Sequence, residues 1–303
     1  MFKFCIISVV LTAGFVAPKG DSWLVHEIYG DHWVMWNGEK PNSEYLYLFM
    51  PGSGQLPEVR SELVLKSTAE VGLRAIGLAY QNEGSVSDKC WTSKDSDCME
   101  KVRMERIYGD DTSDEVECSY DESVVGLLRL LLVELDEQHP EMDWRKWLDE
   151  SGNPRWENII VSGHSQGAGN AAFIARDHKV VRVIMYAGPY DRDTTGRVDY
   201  KEKLYGEVNW ISEEAITPRN RFYAFYHVKD NFPHTFILED NYRKLLGFLP
   251  DRKLDVDAVE EIVGTHRYLF SQKELHQKQS PHTYPLLERF MPVHRYMCSH
   301  GLP

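Results

Sequence analysis

The chain has 303 residues, and 34 Lys and Arg against 47 Asp and Glu leave a net charge of −13 at neutral pH. Hydrophobic residues make up 42% and charged residues 27%, close to globular averages, which excludes disordered, collagen-like and coiled-coil chains. The acidic balance, with no long Lys/Arg run, argues against nucleic acid as a partner.

Met1–Lys3 gives a short basic start, and Phe4–Ala17 is apolar apart from Ser8, Thr12 and Gly14. That run is shorter than the roughly 20 residues of a spanning helix and fits a signal peptide. Residues 1–20 are therefore expected to be a targeting segment, with cleavage among the small residues Ala13, Gly14, Ala17 and Gly20. Residues 21–303 are expected to form one domain, secreted and without stable membrane insertion. Cys5 leaves with the signal. Cys90, Cys98, Cys118 and Cys298 then allow three connectivities, and a local Cys90–Cys98 bridge is the expected one. No Cys-x-x-Cys pair occurs, and acidic Gly109–Glu117 lacks EF-hand spacing, so no metal or cofactor is expected.

Trp23–Tyr29 and His32–Trp36 read as a hairpin turning at Gly30-Asp31. Tyr45–Met50 predicts a strand, Glu58–Val71 a helix, and Leu73–Tyr80 a buried strand. A polar insertion, residues 81–120, follows. Asp121 is placed to cap a Leu-rich helix, Glu122–Glu137. Then come strand Asn158–Ser162, helix Gly167–Asp177, and strands Val180–Ala187, Arg221–His227 and Val263–Phe270, with Pro285–Met291 a short closing helix. Alternating strands and helices predict an α/β fold, a mostly parallel sheet flanked by helices on both faces. Ligands then bind beyond the carboxyl ends of the strands.

Gly163-His164-Ser165-Gln166-Gly167 sits between a predicted strand and a predicted helix. Gly-x-Ser-x-Gly in that setting is a nucleophile elbow, with Ser165 as nucleophile. The turn is so tight that larger residues two positions before and after the serine would collide. Ala168, Gly169, Ala171 and Ala172 keep the next helix slim.

Residues 158–191, from Asn-Ile-Ile-Val-Ser-Gly-His-Ser-Gln-Gly-Ala-Gly to Tyr-Ala-Gly-Pro-Tyr-Asp, resemble the α/β-hydrolase superfamily. Pro51-Gly52-Ser53-Gly54, Gly77-Leu78-Ala79-Tyr80 and Gly163–Gly167 resemble, more narrowly, a group of secreted serine hydrolases in bacteria, fungi and protists. The resemblance covers roughly residues 45–300 and implies an α/β-hydrolase fold.

An oxyanion hole needs two preorganised N–H donors. One is expected at Gln166, the residue after the nucleophile, and the other at Ser53, with Gly54 as second choice. Superfamily members often carry His-Gly where this chain has Pro51-Gly52. The order Ser, Asp/Glu, His of this fold leaves His234, His276, His282, His294 and His300 as candidate bases among 12 histidines. His282, in a Pro-framed loop and followed by a small residue as in the resembled group, is expected, with His276 next. Asp230, just past strand Arg221–His227, is the expected acid, and Asp191 is the alternative. Tyr190, Trp210 and Phe232 are candidate pocket residues, and segments 191–220 and 231–263 are candidate lids.

Together these readings predict a secreted serine hydrolase acting on a small-molecule or lipid-like ester through an acyl-enzyme. The alternatives are an acyltransferase using the same residues and a non-catalytic binding protein on the same fold.

Overall fold

The computed structural model describes residues 24–38, 43–57, 61–193, 209–230, 235–247, 253–276 and 278–302. The expected targeting segment, the start of the predicted helix at Glu58, Phe232 and His234 lie outside the described residues.

Nine strands form one sheet: β1 (Leu24–Tyr29), β2 (His32–Asn37), β3 (Leu46–Met50), β4 (Arg74–Gly77), β5 (Ile159–His164), β6 (Arg182–Tyr186), β7 (Phe222–His227), β8 (Leu254–Asp255) and β9 (Tyr268–Ser271). Their spatial order is β1-β2-β4-β3-β5-β6-β7-β9-β8. The hairpin β1–β2 pairs Tyr29 with His32 across Gly30-Asp31, and β2 lies antiparallel to β4. From β4 onward every pairing is parallel.

The central strands are apolar throughout because both faces are covered. In β3, Leu46, Leu48 and Met50 point into one core and Tyr47 and Phe49 into the other. The first core is closed by α3 (Val124–Gln138), α4 (Gln166–Asp177) and α5 (Thr235–Leu246). The second is closed by α1 (Glu62–Glu70) and α6 (Met291–Ser299). Helix α2 (Cys98–Tyr108) rises from the insertion, where Val86, Cys90, Cys98, Met99 and Val102 form a small core of their own. The expected Cys90–Cys98 disulfide is present, with Cα atoms 5.7 Å apart, and Cys118 and Cys298 are free and buried.

Several sequence boundaries move. The Leu-rich helix starts at Val124, capped by Ser123, whose Oγ accepts the Gly126 N–H at 3.1 Å; Asp121 lies instead in a 3-10 turn. The extended cap backbone of Ser123 ends that turn and leaves its hydroxyl over the free helix N–H groups. In place of the predicted Val263–Phe270 strand the chain is extended over Tyr268–Ser271, because Gly264 takes φ +77° and Val263 is exposed. The predicted lid segment 231–263 contains α5, whose Ile237, Leu238, Tyr242 and Leu245 are buried. The closing helix runs Met291–Ser299, after two 3-10 turns.

His294 on α6 is buried, and its Nε2 donates to the Pro285 carbonyl at 2.8 Å. Burial pushes its pKa down to about 4. The unfolded chain takes up a proton near pH 6.5 that the native state refuses, so the neutral ring stabilises the fold above pH 6.5. That stability is lost as pH falls from 6.5 toward about 4, at roughly 1.4 kcal/mol per pH unit. Urea unfolding at pH 7 and pH 4.5 should therefore show a flatter pH dependence for His294→Gln than for wild type. Identical slopes would remove His294 as the cause.

Candidate functional site

The site is built where β3, β5, β6, β7 and β9 end, all at the carboxyl edge of the sheet. Strand β5 runs into α4 with only Ser165 between them. Ser165 has φ 54° and ψ −114°, a conformation rare outside glycine that marks a strained turn. Its N–H donates to the Tyr186 carbonyl at 2.8 Å, extending the ladder to β6.

The glycines around it are required by contact. A Cβ on Gly163 would lie 2.3 Å from the Gly167 backbone, and one on Gly167 would lie 2.0 Å from the Met50 carbonyl oxygen. A Cβ on Gly188, in the loop after β6, would meet the Ser165 carbonyl oxygen at 2.2 Å. Gln166 opens α4, so its backbone N–H belongs to the helix end whose donors have no partner within the helix.

Ser53 and Gly54 occupy the turn after β3, closed by Gln55 N–H donating to the Gly52 carbonyl at 3.1 Å. Asn82 braces that turn: its Nδ2 donates to the Gly52 carbonyl at 2.9 Å and the Gln55 carbonyl at 2.7 Å. The Gly54 N–H donates to the Asn82 carbonyl at 3.1 Å, so that donor is already engaged. Ser53 Oγ lies 3.4 Å from Gln166 Oε1, which puts the turn beside the start of α4. Gln166 Oε1 also accepts from Val86 N–H at 3.0 Å and Arg106 Nη1 at 2.7 Å, so the insertion is pinned to the same helix start.

Asp230 follows β7 and is fully buried; His282 follows β9 and is 17% exposed. His282 Nδ1 and Asp230 Oδ2 are 3.0 Å apart. An ionised carboxylate only accepts, so Nδ1 carries the proton and a neutral His282 keeps its lone pair on Nε2. His164 Nε2 donates to the His282 carbonyl at 2.9 Å, with the two rings 4.7 Å apart. Tyr190, in the loop after β6, has its ring centroid 5.8 Å from that of His282. Burial first, and then the Asp230 carboxylate beside it, push the Tyr190 phenol far above its ordinary pKa and keep it protonated.

Asp191 is engaged elsewhere. Arg103 of α2 grips it with two parallel bonds, Nε to Oδ2 at 2.6 Å and Nη2 to Oδ1 at 2.5 Å, both side chains being buried. Trp210 Nε1 donates to Asp191 Oδ2 at 3.2 Å. Arg103 Nη1 donates to the Gln166 carbonyl at 3.1 Å and to Asn170 Oδ1 at 2.6 Å. Gly169 makes room, since a Cβ there would lie 2.1 Å from the guanidinium.

Ser165 opens into a pocket of about 30 Å³, walled by Ser53, Ser85, Val86, Ser87, Arg103, Gln166, Tyr190 and Asp191. The sequence reading missed Arg103, Arg106, Asn82 and His164, because their partners lie far away in the chain. The His276 backbone N–H donates to Gln279 Oε1 at 3.0 Å, a local bond within its own loop, and among the described residues His276 has no hydrogen bond to Ser165 or Asp230. Among the described residues no cluster of His, Cys, Asp and Glu has the makings of a metal centre.

The parallel sheet with its antiparallel first strands, the elbow after β5 and the loops after β7 and β9 define the α/β-hydrolase fold. No family model and no curated protein matches the chain. Among solved structures, an S-formylglutathione hydrolase from Agrobacterium tumefaciens aligns over 95% of this chain and 99% of its own, with TM-score 0.50 and 10% identity. An alpha-beta serine hydrolase homologue from Coxiella burnetii aligns over 94% of this chain and 100% of its own, with TM-score 0.43 and 10% identity. At 10% identity the likeness to the S-formylglutathione hydrolase is one of fold.

Proposed function

We propose that the chain is a serine hydrolase that cleaves carboxylic esters through an acyl-enzyme. The observation that carries this reading is the 3.0 Å His282–Asp230 bond beside a strained Ser165 elbow at the same sheet edge. In the proposed reaction, Ser165 Oγ attacks the ester carbonyl carbon and His282 Nε2 takes the hydroxyl proton. The N–H groups of Gln166 and Ser53 receive the developing oxyanion. The C–O bond to the alcohol then breaks, and His282 returns the proton to the leaving oxygen. Water repeats the sequence on the acyl-enzyme and frees the acid and Ser165. Asp230 fixes the His282 tautomer and stabilises the imidazolium.

The walls support a short, polar acyl group. A volume of about 30 Å³ holds about two waters, and Val86 is the one aliphatic residue in that lining. Long acyl chains need extended apolar walls. The expected result with a nitrophenyl ester series is a kcat/KM for acetate at least tenfold above that for octanoate, on the scale of discrimination set by methylene groups. No turnover of any ester in the series would remove the proposal, and preference for octanoate would remove its acyl assignment. The Cys90–Cys98 bridge supports export to an oxidising compartment with residues 1–20 as the signal. Running the same assay on medium and on cells tests that: activity confined to the cells counts against export.

A further inference from the structure

A second cavity lies at the opposite end of the sheet. It has a volume of about 330 Å³ and is lined by Arg182, Arg221, Arg267, His300, Tyr223 and Asn220, among others. The three arginines are placed there by the fold: Arg182 begins β6, Arg221 immediately precedes β7, and Arg267 immediately precedes β9. These strands are parallel neighbours, so their amino-terminal ends bring the guanidiniums to one edge. Strand β6 runs from Arg182 to Tyr186, whose carbonyl holds the Ser165 N–H; about 13 Å of strand separates its two ends.

The hydrogen bonds of Arg182 and Arg221 go to neutral carbonyls, which satisfy their geometry and leave their charge. Arg182 is only 3% exposed, yet its Nη1 and Nη2 donate to the neutral carbonyls of Met297 at 2.7 Å and His300 at 2.6 Å. Arg221 Nη1 donates to the Val180 carbonyl at 2.8 Å, and Arg267 Nη1 donates to the Arg219 carbonyl. Among the described residues, neither Arg182 nor Arg221 forms an ion pair with a carboxylate, in contrast to Arg103 with Asp191. The Arg182 guanidinium sits 4.5 Å from the Tyr223 ring centroid, which fixes its plane. Burial depresses the Arg182 pKa, and the like charge of Arg221 acts in the same direction. A buried cation without a counter-charge is costly, and this chain carries −13 overall, so a basic cleft here is a local and specific feature.

We propose that this cleft binds the phosphate or sulfate group of a small ligand through Arg182, Arg221, Arg267 and His300. Planar guanidiniums suit tetrahedral oxyanions because each offers paired N–H groups. The net negative charge of the chain disfavours extended polyanions, so the ligand is a small one.

The test is calorimetric titration of the whole protein with inorganic pyrophosphate and, separately, sulfate, at ionic strength held constant with KCl. One saturable site is expected. Arg221→Gln/Arg267→Gln should weaken it tenfold or more, while Arg145→Gln, on a separate exposed ion pair with Asp136, should bind as wild type does. If the double variant melts well below wild type, Arg267→Gln alone is read, with at least a threefold loss expected. Tighter binding of pyrophosphate assigns a phosphate ligand, and tighter binding of sulfate a sulfate ester. Absence of saturable binding in wild type overturns the proposal, and so does equal affinity in wild type and the cleft variants.

Discussion

Ser165→Ala should lose ester hydrolysis by a factor on the order of 10⁴–10⁶ and lose all fluorophosphonate labelling, with its melting temperature close to wild type. The size follows from the chemistry, because no neighbouring group can form the acyl bond in place of Oγ. Ser53, Ser85 and Ser87 also line the pocket, but none of them lies on the elbow, and Ser53 sits on the turn after β3 with its Oγ 3.4 Å from Gln166 Oε1. The fold should survive because Ser165 is held by its backbone: its N–H bonds Tyr186, and its carbonyl accepts from Ala168 and Gly169. Alanine keeps all of these. Retained hydrolysis, or label recovered on a peptide without residue 165, would end the assignment of the nucleophile.

His282→Ala should lower kcat by about 10⁴ or more, since the attacking hydroxyl loses its proton acceptor. Asp230→Asn should cost no more than this. An amide at 230 no longer favours the Nδ1–H tautomer that the 3.0 Å bond selects, and it withdraws the charge that steadies the imidazolium. The two residues act as one unit, so the double variant should be scarcely worse than His282→Ala. Losses in activation free energy that simply sum would show that the pair is not coupled. Asp191→Asn should act instead on stability, since it leaves the buried Arg103 without its counter-charge, and it should not change the pH dependence that His282 imposes. A crippled Asp191→Asn beside an unaffected Asp230→Asn would transfer the acid role.

What the sequence displayed and what it concealed divide along one physical line. Gly163 and Gly167 were readable because their collisions are with the turn itself and the strand beside it, a constraint any Gly-x-Ser-x-Gly elbow shares. The central strands themselves were readable from apolar runs such as Leu46–Met50, which have no polar alternation to mislead, though their order in the sheet was not. The placement of Asp230 and His282 at strand ends followed from chain order in this fold. Arg103 was not readable, because nothing around it announces that its partner is Asp191, brought close only when α2 lies across α4. The same is true of Gly54, whose N–H is turned to Asn82. Helix α5 was missed because its buried face includes Asn241 and Tyr242, which read as polar in the sequence but bond the Pro189 and Asp191 carbonyls and the Gly188 N–H.

Arg103 and Gly169 have a consequence for anyone who would graft or prune this molecule. The insertion looks like a removable ornament, with its own bridge and its own small core. Yet the helix beneath it is hollowed at position 169 to admit the guanidinium, and an ordinary side chain there would overlap it. Socket and key are inherited as a pair. Transplanting the insertion onto a relative with a filled socket would leave the arginine nowhere to go, and trimming it here would leave the Asp191 carboxylate with the Trp210 N–H and no cation.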